Sequence, residues 1–236
     1  MAMEKTQGLK GRDGAIRRHE NGPIRYVVWD WNGTLFDDAS LCMDIINGLL
    51  RKHGGRELKM EQYREVFGFP VRDYYVRLGF DFEKDSWERL SKEFIGKYEA
   101  RRYECLLRDG ALEALTACKK AGMAQSILSA YNHRTLEGIV DHFGLRNFFE
   151  YLSGLENHYA DSKLANGKRL LSLLRIPPDR VLFVGDTEHD WEVSNALGTR
   201  CVLLTGGHHS ERKLRACGVP VVHSLQEIDG SLLARI

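Results

Sequence analysis

Apolar residues in this chain fall into short solid runs and longer amphipathic stretches. Residues 24–29, "IRYVVW", are rich in Val and aromatics and predict a strand buried on both faces. From about residue 40 to 52, Leu41, Ile45 and Leu49 recur at helical spacing and form one stripe. Residues from about 57 to 103 carry helical patterns without a strong strand run. There "MEQYREVF" and "SWERLSKEFIGKYEARR" read as amphipathic helices. "FGFP" at 67–70 and "LGFDFEKDS" at 78–86 punctuate this block, and residues 67–75 read as a loop able to face a ligand.

After the block the rhythm changes. "GALEALTACKKAG" predicts a helix closed by Gly122, "AQSILSA" a strand, "RTLEGIVDHFG" a helix and "FFEYLSG" a weak strand. "GKRLLSLLRI" predicts a helix that Pro177 and Pro178 stop. "RVLFVGD", "RCVLLTGG" and "VPVVHSL" read as strands, with "WEVSNALG" and "SERKLRACG" as the helices between them. Strands alternating with helices at this spacing predict an α/β fold, a doubly wound parallel sheet. The first strand is separated from the rest by the all-helical block. The expected division is therefore a core of residues 24–36 and 107–236, a helical insert at 37–106, and a polar, Gly-rich mobile tail at 1–23.

The totals narrow the field. A length of 236 residues suits one large domain with a smaller insert. The net charge of +1 creates no field for nucleic acid or an anionic membrane. No stretch approaches the ~20 apolar residues of a membrane span, and the N-terminus lacks the apolar core of a secretory signal. The five cysteines, at 42, 105, 118, 201 and 217, are odd in number and without CxxC spacing. That argues against a disulfide framework or a structural zinc, and for small core residues in a reducing, cytoplasmic setting.

The candidate chemistry collects where strands end. In an open parallel sheet, ligands bind beyond the carboxyl ends of the strands. The first strand runs into Asp30, followed by Asn32, Gly33 and Thr34; "AQSIL" ends at Ser129 and Ala130; "RVLFV" ends at Gly185 and Asp186, with Asp190 four residues on. The strand at 201–204 ends in Thr205, Gly206 and Gly207, and Lys163 and Lys168 precede "RVLFVGD". Carboxylates delivered to one edge repel unless something neutralises them. Mg²⁺, which takes oxygen ligands and commonly bridges carboxylates to phosphate, is the expected remedy. The Ser129 hydroxyl and the amides of the glycine turn suit a phosphate oxygen. The set suits phosphoryl transfer from a small phosphorylated metabolite, with an aspartate as nucleophile.

"DWNGTL" at 30–35, a strand ending in Ser129, an upstream lysine and "VGDTEHD" at 184–190 resemble the four motifs of the haloacid dehalogenase superfamily. The resemblance holds in order and strand context over about residues 24–236. The helical insert resembles that superfamily's C1-type cap, and the motif style is nearest to phosphoglycolate phosphatase-like members. The resemblance implies that Asp30 is the nucleophile and a Mg²⁺ ligand, with the Asn32 backbone carbonyl as a second ligand. It implies that Asp186 is the acidic ligand of the fourth motif, with Asp190 behind it or bridging through water. Ser129, with the amides of Gly33 and Ala130, would hold the transferring phosphoryl group, and Lys163 would orient Asp30. "DSKLANGKRLL" departs from the family's usual Lys-Pro; Lys163 takes the loop position, whereas Lys168 begins a helix and reads as solvated.

The residue two after the nucleophile is usually a second Asp in phosphatases of this superfamily. That Asp protonates the leaving alkoxide and then activates water, help worth roughly 10²–10⁴-fold. Asn32 cannot do this, and four readings stay open. The chain is a Mg²⁺-dependent phosphatase that is slow, uses good leaving groups, or recruits His189, Glu188 or His53. It is a phosphonate hydrolase using Lys52 or Lys59 of the insert as a Schiff base. It removes halide like the founding members, against which Asp186 and Asp190 weigh. Or it is a catalytically weak protein that binds phosphate or a partner on the same scaffold. Away from the motifs, Arg72 is a candidate to pair with a substrate carboxylate. Asp37 and Asp38 read as the start of the linker or a helix cap, His208 and His209 as a mobile loop, and Trp87, Phe94 and Tyr98 as core of the insert.

Overall fold

The computed structural model describes residues 22–156, 163–233 and 236; residues 1–21 of the expected tail lie outside them. The first strand, β1 (Tyr26–Trp29), is buried along its whole length, as its unbroken apolar run predicts. The chain then forms four helices, α1 (Ala39–Lys52), α2 (Met60–Val66), α3 (Val71–Arg77) and α4 (Trp87–Arg101). The alternating part follows: α5 (Ala111–Lys120), β2 (Ala124–Asn132), α6 (His133–His142), β3 (Tyr151–Leu155) and α7 (Lys163–Leu174). It continues with β4 (Val181–Gly185), α8 (Glu188–Leu197), β5 (Arg200–Leu204), α9 (Glu211–Ala216), β6 (Val221–Val222) and α10 (Gly230–Leu233).

The six strands form one parallel sheet in the order β3-β2-β1-β4-β5-β6. Successive side chains of β1 face opposite ways. Tyr26 and Val28 pack with Leu170, Phe183 and Val193, while Val27 and Trp29 join Leu115 and Ile139 on the other face. The chain builds outward from β1 to β2 and β3, then returns to β1's other side with β4. The strand order therefore reverses at the carboxyl end of β1, where an open α/β sheet leaves a crevice for a ligand.

The apolar cluster on the Trp29 face runs without a break through Phe36 and Leu41 into Tyr63 and Leu90 of the helical block. The block thus shares an interior with the sheet. Residues 71–77 are helical rather than a loop. Pro70 sets the extended entry at φ −62° and ψ 145°, and Tyr74 and Tyr75 are buried against the Tyr63, Phe67 and Phe80 rings. Two other elements are longer than expected: β2 runs three residues past Ser129 to Asn132, and α7 already begins at Lys163.

Candidate active site

Asp30 follows β1 directly. Its amide donates to the Val184 carbonyl of β4 at 2.8 Å, which fixes the residue between the two central strands. The chain then turns tightly, with the Leu35 and Phe36 amides both donating to the Trp31 carbonyl. Gly33 takes a left-handed φ of 76°, and a Cβ there would press against the Asp186 carboxylate. Asp186 directly follows β4; it accepts from Thr34 Oγ1 at 2.9 Å and from the His208 amide at 2.7 Å. Asp190 sits in the first turn of α8. One of its oxygens accepts from the Asp186 amide, the Thr187 amide and Thr187 Oγ1 at 3.1, 2.9 and 2.7 Å. Its other oxygen faces Lys163.

Lys163 is buried and donates to both Asp30 and Asp190. It opens α7 instead of lying in a loop, because the helix start aims its side chain under the ends of β1 and β4. Lys168, one turn further on, is exposed. Carboxylate oxygens of Asp30, Asp186 and Asp190 lie within 4.8 Å of one another. Burial, opposed by Lys163 and reinforced by Asp190 and Asp186, pushes Asp30 up to about 8. Burial likewise lifts Asp186 to about 6, against the pull of His208. For Asp190, burial is outweighed by Lys163 and by the Thr187 bonds, which hold it below the ordinary value. Burial also opposes the charge on Lys163, yet Asp190 and Asp30 keep its pKa above that of a free lysine. Three buried carboxylates thus share one ammonium, which bonds to two of them, in an all-oxygen donor set. Such a set fits a hard dication.

A second buried network lies beside the first. Asp38 accepts from Asn32 Nδ2 at 2.8 Å, the Tyr98 hydroxyl at 2.7 Å and the Gly33 amide at 2.9 Å. It also faces His208 Nε2 at 3.2 Å, and His208 Nδ1 meets the Tyr63 hydroxyl at 2.8 Å. Burial opposes both charges, but each supports the other: Asp38 lies below its ordinary value and His208 rises to about 9. Asp38 does take the N-cap position of α1, but its side chain is spent on this network and makes no bond to that helix's amides. Asp37 is exposed. Gly33 is corrected too: its amide already donates to the Phe36 carbonyl and to Asp38, so it has no free direction toward a phosphate.

His208 and His209 are likewise buried rather than carried on a loose loop. Arg64 donates to the Gly207 and Gly206 carbonyls at 2.8 and 2.6 Å, and Arg108 to Thr205 at 2.8 Å and Gly33 at 3.2 Å. Arg64 thus ties α2 to the loop after β5, and Arg108 ties that loop to the loop after β1. His209 Nδ1 accepts from the Glu188 amide at 3.0 Å. Burial, with Lys213 nearby, lowers its pKa to about 3. A neutral buried histidine stabilises the fold above 6.5, and that contribution is lost as pH falls from 6.5 toward about 3. The His209→Asn variant, which keeps an acceptor near Nδ1, is expected to lose urea resistance less steeply over that window than the parent. Parallel slopes would show that His209 is not the responsible group.

Residues 27–204 match the family model for haloacid dehalogenase-like hydrolases. The chain belongs to that family. Among curated relatives, it is 25% identical over 189 residues to a phosphoglycolate phosphatase of Rhodobacter capsulatus, covering 77% of this chain and 84% of that protein. It is 28% identical over 218 residues to an N-acetylmuramic acid 6-phosphate phosphatase of Pseudomonas aeruginosa, covering 87% and 94%. A predicted phosphatase from Clostridium acetobutylicum has the same fold, with a TM-score of 0.77 at 21% identity over 90% of this chain and all of that one.

In this hydrolase Asp30 and Asp190 of the carboxylate cluster line a cavity of about 860 Å³. Ser129 and Ala130 reach it from β2, with Ser129 Oγ accepting from the Tyr131 amide at 3.1 Å. The walls come from α2, α3 and α4. Trp87 and Phe94 are half-buried there, pack against the core as expected, and also line the cavity. Phe67, Phe69 and Val71 line it as well, so the 67–75 segment does face the site. Arg72 does not: it is exposed and lies over the Phe82 ring at 5.2 Å, because its place on α3 turns it away from the cavity.

The other candidates from the insert also lie elsewhere. Lys52 pairs with Glu93 at 2.7 Å on the surface, Lys59 precedes α2 in an exposed position, and His53 pairs with Asp85 at 2.6 Å. None of them lines the cavity. Glu188 is turned to Lys213, 3.2 Å away, whereas His189 does line the cavity, its ring 4.7 Å from that of Phe69.

Proposed function

We propose that this hydrolase is a Mg²⁺-dependent phosphatase. It would hydrolyse a small organic phosphate monoester through an aspartyl-phosphate on Asp30, as a phosphoglycolate phosphatase-like enzyme. The observation that carries this reading is the placing of Asp30. Its carboxylate is clamped by Lys163, faces Asp186 and Asp190, and shares one cavity with Ser129.

Asp30 attacks phosphorus as the nucleophile. Lys163 orients it, and Ser129 with the exposed Ala130 amide region receives the phosphoryl group. Asp30, the Asn32 carbonyl and Asp186 would hold Mg²⁺, with Asp190 behind them fixing the loop after β4. Bound there, Mg²⁺ supplies the charge that the transferring phosphoryl oxygens need. The helical block, residues 37–106, acts as the cap over a core of 24–36 and 107–236, and sequesters the reaction from water. A cytoplasmic setting fits the five free cysteines, four of them buried. No helix among the described residues is long and apolar enough to cross a membrane. Phosphate release from a panel of small monoesters, with and without Mg²⁺, tests the proposal; metal-independent release would contradict it.

The geometry also accounts for Asn32. Its amide donates to Asp38 and to the Tyr98 hydroxyl, both at 2.8 Å. An aspartate there would set a second carboxylate against Asp38 and lose both donors. Asn32→Asp is therefore expected to destabilise the fold by about 1–3 kcal/mol in urea titrations. It is not expected to speed phosphate release. A stable variant with a tenfold gain in rate, on the order expected for a working acid–base residue, would contradict this role for Asp38.

A further inference from the structure

We infer that the leaving group of the substrate is aromatic: the chain removes phosphate from a phenolic oxygen. This inference rests on the phosphatase reading above and adds the substrate class to it.

Three observations converge. The cavity over Asp30 holds about 860 Å³ and nine aromatic rings line it, among them Phe67, Phe69, Tyr74, Trp87 and Phe94. That is room for a ligand of drug size, ~300–1,000 Å³, far beyond a two-carbon acid, and its rings offer stacked and edge-on contacts to an aryl group. Next, the cavity presents no buried, unengaged cation among the described residues for a carboxylate on the leaving group. Lys163 is held by Asp30 and Asp190, His208 by Asp38, and Lys92 is exposed beside Glu88 on the same cavity. Last, Asn32 supplies no proton to the departing oxygen. A phenolate delocalises its charge and departs without that proton, whereas an alkoxide does not.

In the step implied, an Asp30 carboxylate oxygen forms a bond to phosphorus as the phosphorus–aryl oxygen bond breaks. The bonding pair leaves on the phenolate, which takes a proton from solvent. Water then attacks phosphorus, the Asp30–phosphorus pair returns to the carboxylate, and one water proton is released to solvent as inorganic phosphate departs.

The test compares kcat/KM for 2-naphthyl phosphate, phenyl phosphate, 2-phosphoglycolate, glucose 6-phosphate and acetyl phosphate. The parent and Ile95→Asp are both used; Ile95 lines the cavity and is 39% exposed, so the fold tolerates the change. The naphthyl ester is expected to exceed phosphoglycolate and glucose 6-phosphate by about 100-fold. Its KM is expected to lie about tenfold below that of the phenyl ester, whose phenol is of similar acidity. The Ile95→Asp variant is expected to lower the naphthyl-to-acetyl phosphate ratio by about tenfold. Equal or better use of phosphoglycolate or the sugar ester overturns the inference, as does a naphthyl KM no lower than the phenyl one. Acetyl phosphate hydrolysed without any aryl preference overturns the inference alone. Release from none of the five overturns the phosphatase reading and the inference with it.

Discussion

Replacing Asp30 with Asn is expected to abolish phosphate release, by at least about 10³-fold, while leaving a fold at least as stable as the parent. Loss of a covalent nucleophile removes the first chemical step outright. The stability side follows from the charges. Burial, reinforced by Asp190 and Asp186, drives the Asp30 pKa up to about 8 despite Lys163. The amide of an asparagine is neutral at every pH, so it avoids the cost of a buried charge there, and it can turn its oxygen toward Lys163. In metal-free buffer the urea midpoint is therefore expected to stay level or rise, while the rate collapses. A variant that lost both together would point to a structural role for Asp30 and against its role as nucleophile.

The second large effect is expected at Lys163. Its ammonium donates to both Asp30 and Asp190, and it is 4% exposed. A Lys163→Met side chain keeps the length and leaves two buried carboxylates facing each other unpaired. Breaking a buried pair in this way costs about 3–5 kcal/mol. Activity is expected to fall by about 10²-fold, as Asp30 loses the contact that orients it. Mg²⁺ is expected to recover part of the stability, since a dication at the same carboxylates supplies charge from the other side. Urea titrations with and without Mg²⁺ check this. A metal-free loss below about 1 kcal/mol would show that the two carboxylates are not held by Lys163 in solution.

Much of the scaffold was legible because each strand carries its own apolar run. "YVVW" and "VLFVG" could only be buried strands, and the rule that ligands gather beyond strand ends placed Asp30, Ser129 and Asp186 on one edge. The lysine choice was also open to sequence reading, though its helical setting was not. What stayed hidden is assembled across long separations. Asp38 and His208 meet from 170 positions apart, and nothing local in "LFDD" or "GGHH" marks them as partners. The end of β5 at Gly206 and Gly207 did carry the same strand-end signal, and His208 could have been drawn from it. α3 was missed because its Gly- and Pro-flanked seven residues are too short for a periodic stripe; burial of Tyr74 and Tyr75 stabilises it. The Gly33 amide illustrates a different limit. A glycine turn suggests free N–H groups, and only the tertiary arrangement reveals that Asp38 has already taken this one.

The most direct test of the phosphatase proposal is the mass of the protein itself during turnover. The parent, mixed with acetyl phosphate and Mg²⁺ and quenched in acid within its first turnover, should carry one phosphoryl group on the peptide that contains Asp30. The adduct should vanish in Asp30→Asn and when Mg²⁺ is removed by chelator. Phosphate release without any adduct on that peptide, or an adduct that persists in Asp30→Asn, would contradict the assignment of Asp30 as the residue that takes the phosphoryl group.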